Sequence, residues 1–270
     1  MPVLAIALAA TGCGCPTSRP VALQSTDEMT READDASQLL AKGLDFFNQG
    51  EFQASLPWFE RSIAADPNNL EAQLMLARAL RMIGRANEAE ASLTAAINKD
   101  RAFPGALVER ASLYVSKKEF RKAYEDLNEH FRLGRGGYDA YMLAAIASLQ
   151  LRRPLEAINH AEAAAQVTGA PHEPYTLLAQ IYAADPDEDV RNGTLALQHA
   201  QFANDMTNEQ NALALAALAM AYAELGQFES ALRWQETAIE AASNQHRPQL
   251  LKHRELYESR QPFRHTYGGD

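Results

Sequence analysis

Gly50 and Gly84 stand 34 residues apart, and each separates two Ala/Leu-rich segments patterned as helices. The layout is seen in "FFNQGEFQASLPWFERSIAADPNN" and one period later in "ALRMIGRANEAEASLTAAINKDRA". It recurs in "LYVSKKEFRKAYEDLNEHFRLGRG" and, near the end, in "AYAELGQFESALRWQETAIEAAS". A fixed period of this length constrains the fold more than composition does. One helix pair cannot bury its own apolar face, so successive units must stack into an array. Small residues mark where paired helices come close, and larger ones fill the space between layers.

The first unit places Leu39, Gly43, Phe46, Gly50, Phe59 and Pro67 in a recurring set of slots, with Ser55 and Ser62 at positions usually taken by alanine. The second has Ala77, Leu80, Gly84, Ala89, Leu93 and Ala96; the last has Ala219, Tyr222, Gly226, Ala231 and Ala238. In the third, His130 stands where a small residue is expected and is read as packed in a seam between helices. Pro57 is placed in the first turn of a second helix, where a missing N–H costs least. These slots resemble the tetratricopeptide repeat (TPR), a helix-turn-helix unit. The resemblance implies an all-α, right-handed superhelical solenoid of about six TPR repeats over 36–246. The repeats lie near 36–69, 70–103, 104–137, 138–171, 172–211 and 212–245. A C-terminal capping helix and tail occupy 247–270.

In such a solenoid the first helices line a groove, and TPR grooves take extended peptides or helices. The register predicts that Leu40, Leu44 and Phe47 face it in the first repeat and Arg78, Arg81 and Met82 in the second. Met142, Ile146, Leu149, Gln150, Gln180 and Met220 continue the strip. This is an apolar surface with a basic spot at Arg78 and Arg81. The family's carboxylate clamp needs Lys and Asn at set positions; Leu40, Leu44, Leu74 and Val108 occupy several of them, so that function is not carried over. The terminal segment "QPFRHTYGGD" is a candidate occupant of the groove.

The segment "DPDEDVRNG" puts Asp185, Asp187 and Asp189 at alternate positions, like the start of a calcium loop. Counted from Asp185, the Gly and bidentate Glu that such a loop requires are Val190 and Ala196, so the calcium reading fails. Ala196, Ala200 and Ala203 stand five residues late against the period, which makes 185–193 a lengthened turn between two helices. Turns of this kind carry contacts, and its three aspartates are candidates for partner binding. The long turn, Trp234-Gln235 in the last repeat and the Pro262-Phe263-Arg264 tail also occur together in a group of bacterial TPR proteins that this chain resembles.

The N-terminus reads "MPVLAIALAATGC", an apolar run too short to span a bilayer and of the length of an export signal. Ala10-Thr11-Gly12-Cys13 resembles a lipobox. The resemblance implies a signal peptide over 1–12, lipid on Cys13, a flexible linker over 13–35, and a place in the bacterial cell envelope, periplasm-facing or at the outer membrane. Without a working signal the chain would be cytoplasmic. Both cysteines, Cys13 and Cys15, precede the repeats, which excludes thiol chemistry and Cys-ligated zinc from the folded part.

The chain has 25 Lys+Arg against 35 Asp+Glu, a net charge of -10, which disfavours nucleic-acid binding. The segment from Arg247 onward is basic and reads as a solvated terminal helix. HExxH, GxxxxGK[ST], GxSxG and GxGxxG are absent. His160 and His199 occupy equivalent places on successive second helices without carboxylate or cysteine partners, so they read as surface residues. The expectation is a non-enzymatic scaffold for protein or peptide partners, with no cofactor, no metal and no small-molecule substrate, touching a membrane only through a lipid anchor. Two alternatives stand beside it. One is a TPR lipoprotein that helps assemble a secretion or pilus machine. The other is a metal or enzymatic protein using the histidines or the 185–193 loop.

Overall fold

The computed structural model describes residues 35–103 and 105–267. The signal, the Cys13 anchor and the linker up to residue 34 lie outside the described residues. Among the described residues there are thirteen α-helices and no strand. They pair as α1 (Ala36–Asn48) with α2 (Phe52–Ala65), α3 (Leu70–Met82) with α4 (Ala86–Lys99), and α5 (Ala106–Ser116) with α6 (Phe120–Arg132). The series continues with α7 (Tyr138–Gln150) and α8 (Pro154–Ala165), α9 (Glu173–Ala184) and α10 (Gly193–Met206), α11 (Ala212–Glu224) and α12 (Phe228–Ala241). A single helix, α13 (Arg247–Glu258), closes the array.

Local chemistry sets the helix starts. Asp35, Asn69, Asn192 and Asn211 precede α1, α3, α10 and α11, and each side chain accepts a hydrogen bond from a backbone N–H of the first turn. The first helices end in one repeated way. The carbonyls of Phe46, Leu80, Tyr114, Ser148 and Tyr222 each accept the N–H of the residue five positions on. The residue before that donor has positive φ, and is Gly50, Gly84, Lys118, Arg152 or Gly226. This left-handed cap reverses the chain in three residues and launches the second helix at once. In α9 the same carbonyl, that of Tyr182, accepts from Asn192, five residues later than elsewhere. The 185–193 turn is therefore an insertion inside an otherwise repeated cap.

Successive first helices touch across repeats: α1 with α3, α3 with α5, α5 with α7, and most closely α9 with α11. Successive second helices make at most marginal contact with one another. The first helices thus line the inner face of the array. The α9–α11 approach rests on alanines, with Ala179, Ala183, Ala217 and Ala221 in one buried cluster. Helix α11 is buried on nearly every side, as a helix apolar all round must be.

Two capping features follow from the last repeat. Gln235 is fully buried, and its Nε2 donates to the Leu250 carbonyl of α13 at 2.7 Å. Trp234 packs among residues of α11, α13 and the tail. The Trp-Gln pair therefore fixes the terminal helix, whose Leu250 and Tyr257 close the apolar end. Pro57 differs from the sequence reading. It is the sixth residue of α2, past the first turn, so the carbonyl of Gln53 lacks its helical donor. Both residues are exposed, so the missing bond lies on the solvent side of the helix.

Gly43 shows why a small residue is needed where α1 meets α2. A Cβ there would lie 2.5 Å from the ring of Phe59, which is wholly buried. Alanine would gain about 1 kcal/mol of helix propensity, but overpacking costs about 1–3 kcal/mol. Gly43→Ala is expected to lower the urea midpoint; a higher midpoint would show that the α1–α2 contact is looser than described.

Candidate functional site

The lengthened turn is held by its own side chains. Asp185 Oδ1 accepts the N–H of Asp187 at 2.9 Å, and Asp187 Oδ1 accepts that of Asp189 at 3.1 Å. Val190 is buried in the cluster formed by α7, α8 and α9. Arg191 donates from Nη1 to the Asp185 carbonyl at 2.9 Å and pairs from Nε with Glu224 of α11 at 3.1 Å. Asp185 and Asp187 are spent on turn geometry, and among the described residues no group of three or more His, Cys, Asp or Glu is placed to hold a metal ion.

This turn leaves the end of α9 open. In α1, α3, α5, α7 and α11 the carbonyl next after the capped one is taken by an N–H three residues on. At the equivalent Ala183 no such donor arrives. The chain's own C-terminal segment supplies one instead. After α13 the chain turns at Arg260 and runs back over the ends of α9 and α11. Arg264 Nη1 donates to the Ala183 carbonyl at 3.2 Å, and the His265 N–H donates to that of Ala184 at 2.8 Å. Arg264 Nη2 lies 2.6 Å from Glu224 Oε2, and the Tyr267 hydroxyl donates to Asp185 Oδ2 at 2.8 Å. Helix C-terminal carbonyls and two carboxylates make a site of negative potential, which a guanidinium suits.

Apolar contacts hold the strap between these polar ones. Phe263 packs into the cluster that contains Met220, and its ring lies 4.0 Å from that of His253. His265 stacks against Tyr267 at 5.7 Å. Tyr267 packs on the cluster that includes Leu149 of α7 and Leu178 and Ile181 of α9, two helices that meet at most marginally by themselves. The strap is thus laid over the inner face of the last three repeats. An open hollow of about 910 Å³ runs beside it along α13, lined in part by Lys252, His253, Phe263 and His265.

The expected groove residues divide accordingly. Leu149 and Met220 are buried, at 7% and 5% exposure, in clusters that the strap covers. Met142, Ile146, Gln150 and Gln180 are half-buried. Leu40, Leu44 and Phe47 lean on the first core cluster and stay partly exposed, and Met82 is open at 50%. The basic spot is partly neutralised. Arg78 Nε lies 2.5 Å and Arg81 Nη2 3.7 Å from the same carboxylate, Glu109 of α5. Of the three loop aspartates only Asp185 meets the strap. Asp187 and Asp189 are exposed.

The histidines are not simple surface residues. His160 stacks on Phe131 at 5.3 Å, and His199 stacks on Tyr182 at 5.8 Å, each half-buried at a seam. Burial holds both below the usual histidine range. His130 is buried as its slot implies. The basic tail is likewise not merely solvated, because Arg264 is engaged with α9 and α11. Sequence reasoning missed the pairing of Arg191, Glu224 and Arg264; the five-residue delay was the only available sign that α9 ends differently.

His253 is buried at 3% exposure, and neither ring nitrogen has a partner among the described residues. Burial, with His265 adding to it, pushes its pKa down to about 4. Burial also lowers His265, while Asp185 opposes that shift. A histidine kept neutral in the fold binds fewer protons than in the unfolded chain, so its contribution is lost as pH falls from 6.5 toward about 4. His253→Leu is expected to flatten the fall in melting temperature across that window. An unchanged pH dependence in the variant would refute the assignment.

Residues 46–111 and 212–245 match the tetratricopeptide repeat family. No curated protein matches the chain. Among solved structures, the fold is similar to that of YrrB, described as a TPR protein with an unusual peptide-binding site, at 18% identity and a TM-score of 0.61, covering 73% of this chain and 98% of that one. It is also similar to pilF of Pseudomonas aeruginosa, at 15% identity and a TM-score of 0.64, covering 80% and 96%. The Cut9–Hcn1 assembly gives a TM-score of 0.64 at 16% identity, covering 84% of this chain but 44% of the matched one.

Proposed function

We propose that this tetratricopeptide repeat protein is a non-enzymatic scaffold that holds polypeptide partners on the inner face of its solenoid. One observation carries the reading: the inner face already holds an extended polypeptide, residues 261–267, by backbone carbonyls, carboxylates and apolar clusters together. A surface built to bind its own tail in this way has the equipment for peptide recognition. The likeness to solved structures carries the fold and not their roles.

The first three repeats offer the uncovered part of the groove. Leu40 and Leu44 are partly exposed there, Met82 is open, and two arginines share one carboxylate, leaving an excess positive charge. Met side chains adapt to varied apolar partners. Crosslinked capture from the native cells is expected to yield a defined partner set with the wild type and to lose it with Arg81→Glu/Met82→Glu. Capture of the same set by both chains would overturn the groove assignment.

The second part of the proposal is an anchor. Lipid on Cys13, supported by the Ala10-Thr11-Gly12-Cys13 stretch, would tether the solenoid to an envelope membrane through the polar segment that follows. Among the described residues no helix is long and apolar enough to cross a membrane. Cys13→Ser is expected to shift the chain from the membrane fraction to the soluble one. Retention in the membrane fraction would remove the lipid from the proposal.

A further inference from the structure

We infer that the strap is an exchangeable occupant, and that the site at the ends of α9 and α11 recognises an extended partner segment in which an arginine is flanked by aromatic side chains. The inference rests on the scaffold reading and names the chemistry of partner that this part of the inner face takes.

The argument begins with the inserted turn. Were α9 capped like the other first helices, the Ala183 carbonyl would be occupied by local backbone and Asp185 would not exist as an inward carboxylate. The insertion instead exposes an acceptor array on the inner face: the Ala183 and Ala184 carbonyls, Asp185 Oδ2 and Glu224 Oε2. Asp185 is only 1% exposed and Glu224 is mostly buried. Buried acceptors of this sort demand donors, and an array of four acceptors at a helix C-terminus selects a cationic, multiply donating group. Arg191 donates to the Asp185 and Pro186 carbonyls and to Glu224 Oε1, so it takes none of these four atoms and leaves them to a group from outside the turn.

The strap shows which ligand fits. The arginine enters between an apolar site immediately before it, where Phe263 packs on the cluster that contains Met220, and one three residues after it, where Tyr267 packs on the cluster that contains Leu149, Leu178 and Ile181. A backbone N–H directly after the arginine, that of His265, fixes the register at Ala184. The motif is aromatic, arginine, two residues, aromatic, in extended form. Its polar contacts reach α9 and α11, while Phe263 also packs on α13 beside His253 and in the cluster of Tyr257, with the open hollow running between the strap and α13. The last repeats touch one another directly, α9 with α11 and α12 with α13, so the strap can leave without the helices coming apart. A tethered segment has the advantage of a high effective concentration, so a free partner segment with the same motif binds well only when the strap is weakened or outcompeted.

The test uses the full chain and a fluorescent peptide with the sequence of residues 260–270, RQPFRHTYGGD. Arg264→Glu in the chain places a carboxylate against Glu224 and the α9 carbonyls and should empty the groove. Its affinity for the peptide is expected to exceed that of the wild type by at least about tenfold, and a peptide with the same Arg→Glu change should bind neither chain. His265→Pro, which removes the N–H donated to Ala184 outside any helix, is the second chain and should behave alike even if Arg264→Glu fails to fold. If both variants keep their helical melts and neither binds the peptide better than the wild type, the strap is only a cap and the inference is wrong. Wild-type chain that associates into dimers with rising concentration, and whose dimers dissolve in the variants, would also overturn it, in favour of tail exchange between copies. Loss of the peptide result leaves the partner capture by the first three repeats standing, so the two readings fail separately.

Discussion

The carbonyl end of α9 is the constraint on which the second half of the molecule depends. Five first helices close their ends with an N–H three and five residues on, through a left-handed residue. In α9 the chain leaves that path, spends Asp185 and Asp187 on a turn of their own and returns only at Asn192. Buried backbone acceptors cannot stay empty without a cost of about 1–3 kcal/mol each. The strap fills them, and the sequence of the strap follows: an arginine that donates to the Ala183 carbonyl and pairs with the Glu224 charge, a backbone N–H for Ala184, a hydroxyl for Asp185.

The geometry that brings the strap there depends on small residues and on one polar pair. Alanines let α9 and α11 lie close, which sets Glu224 beside the turn where Arg191 and Arg264 can both reach it. Gln235 and Trp234 fix α13 against the last repeat, and α13 aims the tail back over the inner face. Fold and site are thus continuous: the contacts that cap the solenoid also deliver its tail to the groove.

The repeat was legible because it is written many times. Gly43 against Phe59, the alanines of α9 through α12 and the glycine caps each follow from a period that several units repeat, so errors in one unit are outvoted by the others. The all-α solenoid follows from that pattern alone. The delay before Ala196 was legible too, and so was a turn in place of a calcium loop. What could not be read is the consequence of that turn, because Arg264, Ala183 and Glu224 are far apart in sequence and no period relates them. Groove residues were harder for the same reason. Leu149 and Met220 lie on the inner side, and the tail was a visible candidate to cover them, but no period tells on which repeats it seats. His160 and His199 looked like surface residues because their aromatic neighbours, Phe131 and Tyr182, come from other helices.

Amide hydrogen exchange on the full-length chain tests the central claim most directly, through the N–H of His265. That amide is donated to the Ala184 carbonyl at 2.8 Å and lies outside every helix. A strap seated on α9 and α11 gives this amide protection well above that of exposed turn residues such as Glu188. Exchange of the His265 amide at the rate of an unstructured peptide would contradict a seated strap, and with it the role assigned to the open end of α9.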